Sequence, residues 1–319
     1  MRAFRDRVMG TDVLLAGMGA GEQAAVLGWL REAERVFTRF SPGSDTRRVG
    51  AADGRATEVS ASFTAALAEA CAHHERTGGL FDPFLGAAME RIGYSVGFDE
   101  ITARGGVSPG PVAPVPPESP GDDAGAVPRV EIDHERGLVT LPPGTAVDLG
   151  GFVKGWSVQQ AADALRRAGA RRGLIDAGGD IVAWRDPADA PWRVGVEHPL
   201  RPEPAGTLAL APYAAVATSS TARRRWRDAS GAPAHHIVDP RTGRPADSDC
   251  VQATVLGRDL GAAEVYATCL VVLGTVEGPA LLADLDGSAA WITVDREGRV
   301  RSAANLDHYC AEVALDVPP

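Results

Sequence analysis

The feature that most constrains the fold of this chain is a series of short apolar segments joined by tight turns. Residues 173–184, GLIDAGGDIVAW, carry two such segments around a double glycine, and residues 130–142, VEIDHERGLVTLP, carry two more around a polar turn. Both patterns predict pairs of antiparallel strands. Further strands are predicted near residues 8–16, 192–197, 206–217 and 251–256. The predicted strands are more numerous than a simple alternation of one strand and one helix would give. The sequence therefore predicts an α+β fold with layered mixed sheets and helices.

Helical patterns occur before and between these strands. Residues 60–77 begin at Ser60, a typical N-cap residue, and stop at a glycine pair, where a positive φ costs little. In residues 21–38, apolar side chains recur every three or four positions, as on one face of a helix. Two more helices are predicted over residues 156–168 and 260–273.

Residues 105–128, GGVSPGPVAPVPPESPGDDAGAVP, are too rich in proline and glycine to pack as a helix or a strand. Such a segment either separates two lobes or forms an exposed insertion within one domain. We expect the second arrangement. The sequence therefore predicts a single domain over residues 1–319 with an exposed insertion at about 105–128.

The charge balance argues against a nucleic-acid partner. The chain has 32 Lys and Arg against 42 Asp and Glu, which gives a formal net charge of -10. Binding to a phosphate backbone needs clustered basic side chains that this balance does not supply.

The cysteines and the apolar runs point to a cytoplasmic chain without a membrane partner. Cysteines at 71, 250, 269 and 310 form no CxxC or zinc-binding spacing, so we expect reduced and mostly buried thiols. No run approaches the roughly 18 apolar residues that span a bilayer. The first residues show neither a signal peptide nor a lipid-accepting cysteine.

Residues 147–169, VDLGGFVKGWSVQQAADALRRAG, read as a strand, a glycine turn and a helix. Asp148 ends the strand, and Lys154 lies just before the helix. Backbone N–H groups at a helix N-terminus attract anions, and a nearby lysine adds a mobile cation, so the segment suits a phosphate. The glycines match neither the dinucleotide-binding nor the Walker spacing. A tight turn with a solvated lysine therefore stays an open alternative.

Two oxygen-bearing side chains, Glu264 and Thr268, are four residues apart on one face of a predicted helix. A carboxylate and a hydroxyl at this spacing can share a hard cation such as Mg²⁺, which completes its shell with water and substrate phosphate. The alternative is structural, with the threonine bonded to its own helix and the glutamate on a solvated face.

The segment HHIVDPRTGRP, residues 235–245, offers His236 as a base and Asp239 as a group that closes a turn. The other histidine, His235, has a structural interpretation, in which the imidazole bonds to a backbone carbonyl. Two aromatic residues near predicted loops, Phe40 and Phe81, are able either to stack on a planar ligand or to pack in the core.

Taken together and in chain order, these segments resemble the FAD:protein FMN transferase family, the ApbE-like flavin transferases. The blocks that carry the resemblance are MGT at 9–11, FSPGSD at 40–45, GGLFDP at 78–83, VDLGGFVKG at 147–155, DAGGDI at 176–181, ATSS at 217–220, HHIVDPRTGRP at 235–245 and AEVYAT at 263–268. The blocks at 147–155 and 235–245 are specific, whereas the others support the match through their order.

The resemblance implies two lobes around a flavin pocket and a magnesium-dependent enzyme. Such an enzyme binds FAD, transfers its FMN half to a Thr or Ser hydroxyl of an acceptor protein and releases AMP. His236 is the predicted base, and the predicted metal ligands are Glu264, Thr268 and the backbone carbonyl of Gly151. The FAD contacts implied by position are Met9, Phe40, Leu80, Phe81, Asp82, Asp148, Lys154, Asp180, Thr218 and Ile237.

Several positions depart from the family pattern. Glu264 stands where the family usually has aspartate, and the added methylene moves the carboxylate relative to a cation that demands near-ideal octahedral geometry. Other departures are Phe40 for tyrosine, Gly50 for asparagine, Phe84 for a small hydroxyl residue and Ser220 for glycine. Two alternatives therefore stay open: a FAD pyrophosphatase that releases FMN and AMP, and a FAD-binding protein with weakened catalysis.

Overall fold

The computed structural model describes residues 3–108, 129–228 and 230–316. Its helices are α1 (Ala20–Phe37), α2 (Asp45–Gly50), α3 (Ala61–Arg76), α4 (Gly86–Arg91), α5 (Phe98–Ala103), α6 (Val153–Arg167) and α7 (Leu260–Leu285). Its strands are β1 (Phe4–Val8), β2 (Thr11–Ala16), β3 (Thr57–Glu58), β4 (Glu131–Asp133), β5 (Leu138–Thr140), β6 (Gly173–Ala177), β7 (Asp180–Trp184), β8 (Arg193–Val196), β9 (Gly206–Leu210), β10 (Tyr213–Ser220), β11 (Arg225–Arg227), β12 (Pro233–His235), β13 (Val238–Asp239), β14 (Arg244–Pro245), β15 (Cys250–Gly257), β16 (Ala290–Asp295), β17 (Val300–Ser302) and β18 (Cys310–Leu315).

The chain divides into two compact units. Unit 1 comprises Met1–Arg31, Phe152–Ala222 and Ser248–Pro319, and unit 2 comprises Glu32–Gly151 and Arg223–Asp247. The α+β prediction is confirmed. The single-domain assignment stays a prediction, and most of its proposed insertion, residues 109–128, lies outside the described residues.

Unit 1 is built on an eight-stranded sheet in the order β1-β2-β6-β7-β10-β15-β16-β17, in which every neighbouring pair is antiparallel. The hairpin predicted over residues 173–184 is confirmed as β6 and β7. Helix α6 packs on β6 and β7, and α7 packs on β10 and β15. Apolar side chains of the large sheet, such as Leu174 and Val216, form one buried cluster with Leu208 and Leu210 of the three-stranded sheet β18-β9-β8.

The segment 206–217, predicted as one strand, is instead two strands in different sheets. The first part is β9 of the three-stranded sheet, and the second part begins β10 of the large sheet. Pro212 separates them, because proline has no N–H to continue a strand ladder. Periodicity alone does not distinguish one long strand from two strands that change sheet.

Helix α7 is longer and more apolar than the sequence analysis expected. The helix continues to Leu285 across a kink at Gly274, whose φ is 93°, and the N–H of Thr275 after the kink donates to Asp249 Oδ1 at 2.8 Å. By length and composition α7 could cross a membrane. The expectation that no segment approaches the length and apolar character of a bilayer-spanning helix was therefore wrong. The most apolar window of the helix is 61% buried inside the fold, as expected for a core helix that is apolar on all sides.

Unit 2 contains the end of α1, helices α2 to α5, the small sheet β3-β5-β4 and two short hairpins, β11-β12 and β13-β14. The hairpin predicted over residues 130–142 is confirmed as β4 and β5. The helix predicted over residues 60–77 is α3, and the Ser60 side chain accepts a hydrogen bond from the N–H of Phe63 as its N-cap. The core of this unit contains Tyr94, Ile101 and Trp226.

Candidate active site

One end of the large sheet in unit 1 brings together three predicted site residues. Met9 lies in the β1–β2 turn with φ 55°, and Asp180 begins β7 directly after the glycine turn that follows β6. A side chain at Gly178 in that turn would clash with Thr11 Oγ1, so the close approach of the two turns requires glycine. The N–H of Thr218 donates to Asp180 Oδ1 at 3.3 Å.

Lys154 lies between two buried carboxylates of unit 1. Its ammonium group forms an ion pair with Asp180 and lies 3.5 Å from Glu264 Oε1. The side chains of Asp180 and Glu264 are only 1% and 7% exposed, and that of Lys154 is 15% exposed. Because buried charges are stable only when paired, the three side chains form one electrostatic unit. A predicted FAD-binding lysine and a predicted metal ligand therefore share one cluster.

Glu264 also connects α7 to the first turn of α6. The N–H of Gly155, which has no carbonyl partner within its own helix, donates to Glu264 Oε2 at 2.7 Å. A Cβ at Gly155 would lie 2.8 Å from the carbonyl oxygen of Leu260 and 2.9 Å from Glu264 Oε2, so only glycine permits this approach. The structural interpretation of Glu264 as a residue on a solvated face does not hold, since the residue is buried.

Hydroxyl groups line the neighbouring strands. Thr268 Oγ1, one turn beyond Glu264 on α7, lies 3.1 Å from Ser219 Oγ on β10. The adjacent Thr218 places its Oγ1 2.9 Å from Thr254 Oγ1. Thr268 therefore takes part in a contact between helix α7 and the sheet. It is four residues after Glu264 of the carboxylate cluster, on the same helix.

The donor set on α7 fits a hard cation. Glu264 and Thr268 supply a carboxylate and a hydroxyl oxygen, which are ligands that Mg²⁺ accepts. Across residues 3–108, 129–228 and 230–316, no group of three or more His, Cys, Asp or Glu side chains is arranged to hold a metal. A cation held here therefore needs further oxygen ligands of other kinds, such as a backbone carbonyl, water or substrate phosphate. The carbonyl of Gly151, which belongs to unit 2, stays a predicted ligand.

In unit 2, the predicted residues Phe40 and Asp148 meet at Arg39, which the sequence analysis did not single out. Arg39 Nε lies 3.0 Å from Asp148 Oδ2, and the two side chains are 9% and 12% exposed. The guanidinium carbon lies 4.4 Å from the ring centre of Phe40 and 4.7 Å from that of Tyr94. Phe40 itself is 42% exposed. The arginine thus holds one ring that remains accessible to a planar ligand.

The loop of Phe81 and Asp82 lies next to the Asp148 turn within unit 2. The N–H of Asp148 donates to the carbonyl oxygen of Pro83 at 2.8 Å. His74 Nδ1 donates to the Phe81 carbonyl at 2.8 Å, and this histidine was also missed by the sequence analysis. Burial raises the pKa of the Asp82 carboxyl, whereas the N–H of Phe84 and the nearby His74 act in the opposite direction. The Phe81 side chain is buried, which agrees with the alternative that this ring packs in the core rather than stacking on a planar ligand.

The two adjacent histidines have different environments. His235 Nε2 donates to the Ala246 carbonyl at 3.1 Å, and its Nδ1 accepts from the N–H of Ile237 at 3.3 Å. Both ring nitrogens therefore bond to backbone, which supports the structural interpretation of His235. His236 is half-buried at the next position, and its role as a base stays a prediction. Asp239 closes the turn, since its carbonyl accepts from the N–H of Gly243 at 2.8 Å.

We expect His235 to make stability depend on pH. Burial lowers the pKa of this imidazole in the folded state. The unfolded chain then binds more protons below a pH of about 6.5, the ordinary histidine value, so the free energy of unfolding falls as the pH drops through that region. Gln at this position keeps an N–H donor and does not titrate, so His235→Gln should flatten the dependence.

The measurement is urea unfolding between pH 5 and pH 8. His134→Gln, at an exposed histidine, is the matched control and should keep the slope of the unchanged protein. Equal slopes for His235→Gln and the unchanged protein would contradict the assignment.

Comparisons with known proteins agree with the resemblance. The model of the ApbE family matches residues 9–292. The FAD:protein FMN transferase of Rhodobacter capsulatus is 28% identical over 291 residues, which cover 88% of this chain and 52% of that protein. The FAD:protein FMN transferase of Treponema pallidum is 28% identical over 290 residues, which cover 87% of this chain and 78% of that protein. Several of these curated relatives are matched over only about half of their length.

Solved structures with the same fold include the ApbE protein of Thermotoga maritima, with a TM-score of 0.82 and 22% identity over 98% of this chain and 99% of that chain. The flavin transferase ApbE from Vibrio cholerae has a TM-score of 0.73 and 22% identity over 97% of this chain and 98% of that chain. At this level of identity the likeness establishes the fold.

Proposed function

The chain belongs to the ApbE family, and on that premise we propose that it is a FAD:protein FMN transferase. It transfers FMN from FAD to a Thr or Ser hydroxyl of an acceptor protein and releases AMP. The observation that carries the proposal is the cluster of Lys154, Asp180 and Glu264 in unit 1, which lies within the matched residues and combines a cation with buried oxygen ligands. Curated relatives named as FAD:protein FMN transferases support the same reaction.

The proposed reaction is a displacement at phosphorus. The acceptor hydroxyl oxygen attacks the phosphorus of the FMN half, and the new P–O bond forms as the bond to the AMP phosphate breaks. AMP leaves with the bridging oxygen, and the hydroxyl proton passes to His236. Such a reaction depends on positioning and on neutralising the phosphate charge more than on covalent help from the enzyme.

Charge neutralisation is assigned to unit 1. Lys154 supplies a cation for the diphosphate, and Asp180 orients its ammonium group. Magnesium, when bound, neutralises the charge that develops on the phosphate oxygens. Glu264 and Thr268 would hold it.

Flavin positioning is assigned first to Phe40. Phe40 offers an accessible ring that Arg39 supports from one side, and this arrangement suits stacking on a planar ligand. The remaining proposed contacts with FAD are Met9, Leu80, Phe81, Asp82, Asp148, Thr218 and Ile237.

The test is mass spectrometry of an acceptor protein incubated with the enzyme, FAD and Mg²⁺. We expect a mass gain of one FMN, which disappears when EDTA is added or when the acceptor Thr or Ser is replaced by Ala. Release of free FMN without acceptor, and no mass gain on any acceptor, would identify a FAD pyrophosphatase instead. Tight FAD binding that ignores EDTA, without turnover, would identify a FAD-binding protein with weakened catalysis.

We also propose that the protein acts in the cytoplasm. Its four cysteines are free thiols, as in proteins of reducing compartments. Burial raises the pKa of Cys250 and of Cys269 to about 12, so these thiols resist oxidation. Fractionation of native cells should recover the protein with cytoplasmic markers, and its recovery in an exported fraction would contradict the proposal.

A further inference from the structure

Lys154 is the only lysine in the sequence, and the other 31 of the 32 basic residues are arginines. Lysine carries a compact ammonium group with three freely directed donors, whereas the guanidinium of arginine is planar and larger. The one lysine side chain therefore has its ammonium group between the carboxylates of Asp180 and Glu264, in a buried cluster of unit 1. The formal charge of this cluster is -1, from two carboxylates and one ammonium.

The two carboxylates hold the ammonium unequally. Asp180 is in direct ionic contact with Lys154, whereas Glu264 Oε1 is 3.5 Å away. Glu264 Oε2 is already an acceptor for the N–H of Gly155 at 2.7 Å. Oε1 is therefore the Glu264 oxygen that does not accept this hydrogen bond, and it is the oxygen that faces the ammonium group.

We propose that Lys154 is an internal counter-ion that competes with a divalent cation for Glu264. A cation held by Glu264 and Thr268 needs a carboxylate oxygen, and the more available one is Oε1, beside the ammonium group. Two cations that share one oxygen in a buried site repel each other strongly. Cation binding therefore displaces Lys154 from Glu264, while Asp180 retains it beside the site. This inference rests on the metal dependence that the proposed function includes.

The competition has a consequence for the reaction. Without a divalent cation, Lys154 is shared by both carboxylates, and the cluster keeps a formal charge of -1. With the cation bound, the ammonium stays beside Asp180 and turns from Glu264 toward a phosphate group. Lys154 is then a competitor of the cation before the cation binds and a contact for the diphosphate afterwards.

The experiment measures Mn²⁺ binding by electron paramagnetic resonance, without FAD and without acceptor. Lys154→Met removes the charge and keeps most of the apolar stem, so it should bind Mn²⁺ about tenfold more tightly than the unchanged protein. Lys154→Arg keeps the charge and should bind no more tightly than the unchanged protein. Asp180→Asn removes one negative charge and leaves the lysine to Glu264, so it should bind about tenfold more weakly.

Unchanged or weaker Mn²⁺ binding by Lys154→Met would overturn the inference, as would equal tightening by Lys154→Arg. Absence of Mn²⁺ binding by both the unchanged protein and Lys154→Met would overturn it too. Because the assay contains neither FAD nor acceptor, a protein that fails to transfer FMN but shows the expected tightening contradicts the proposed function alone. Conversely, FMN transfer with unchanged Mn²⁺ binding by Lys154→Met contradicts this inference alone.

A second measurement needs no variant and so does not depend on a variant that folds. Protein labelled with ¹⁵N-lysine contains a single side-chain ammonium group, so its resonance needs no assignment. Titration with Mg²⁺ should shift this resonance and saturate together with cation binding. A resonance that stays unmoved at saturating Mg²⁺ would show that the cation does not displace the ammonium.

Discussion

Replacing His236 with alanine is expected to lower the rate of FMN transfer by about 10²-fold or more while FAD still binds. The acceptor hydroxyl must lose its proton as the new P–O bond forms, and the imidazole is the proposed proton acceptor. Alanine provides no group for this step. Single-turnover rates with saturating FAD and acceptor separate the chemical step from binding.

The neighbouring histidine provides the matched control. His235→Gln retains a side-chain donor for the Ala246 carbonyl, so it should affect stability and leave the rate of transfer within about threefold, well below the 10²-fold effect of losing a base. Added imidazole should restore part of the activity of His236→Ala. Full activity of His236→Ala would remove this residue from the role of base.

Replacing Asp148 with alanine is expected to lower the free energy of unfolding by about 3 kcal/mol. The change leaves Arg39 as a buried cation without its carboxylate partner. It also removes the acceptor for the N–H of Gly150, which donates to Asp148 Oδ1 at 2.7 Å. Both losses act in the same direction.

Asp148→Asn separates these two causes. The amide oxygen can still accept from the N–H of Gly150, but the side chain carries no charge for Arg39. Urea unfolding, with hydrogen exchange of peptides from residues 32–151, should show Asp148→Asn destabilised by most of the same amount. If Asp148→Asn is as stable as the unchanged protein, the turn rather than the ion pair accounts for the effect.

Much of the local structure followed from short stretches of sequence. The cap at Ser60, the glycine stop of α3 and the hairpin around Gly178 and Gly179 depend on neighbouring residues, so their residue types predict them. The turn at Asp239 was predicted for the same reason. The prediction of one strand over residues 206–217 was wrong, because the change of sheet within this segment depends on partner strands far along the chain.

Helix α7 shows a related limit. The predicted end at residue 273 coincides with the kink at Gly274, but the helix resumes because Asp249, from a distant loop, accepts the N–H of Thr275. A glycine marks a place where a helix is able to end. Whether the helix does end there depends on which tertiary partners satisfy its backbone.

The sequence alone determined the fold class, the family blocks and most of the residue types of the candidate site. Only the tertiary structure decided the partners: Lys154 with Asp180 and Glu264, and Arg39 with Asp148. The physical reason is that helix and strand patterns arise from neighbours along the chain. The pairing of buried charges depends on which distant side chains the fold brings within a few ångströms, where the low-dielectric interior makes an unpaired charge costly.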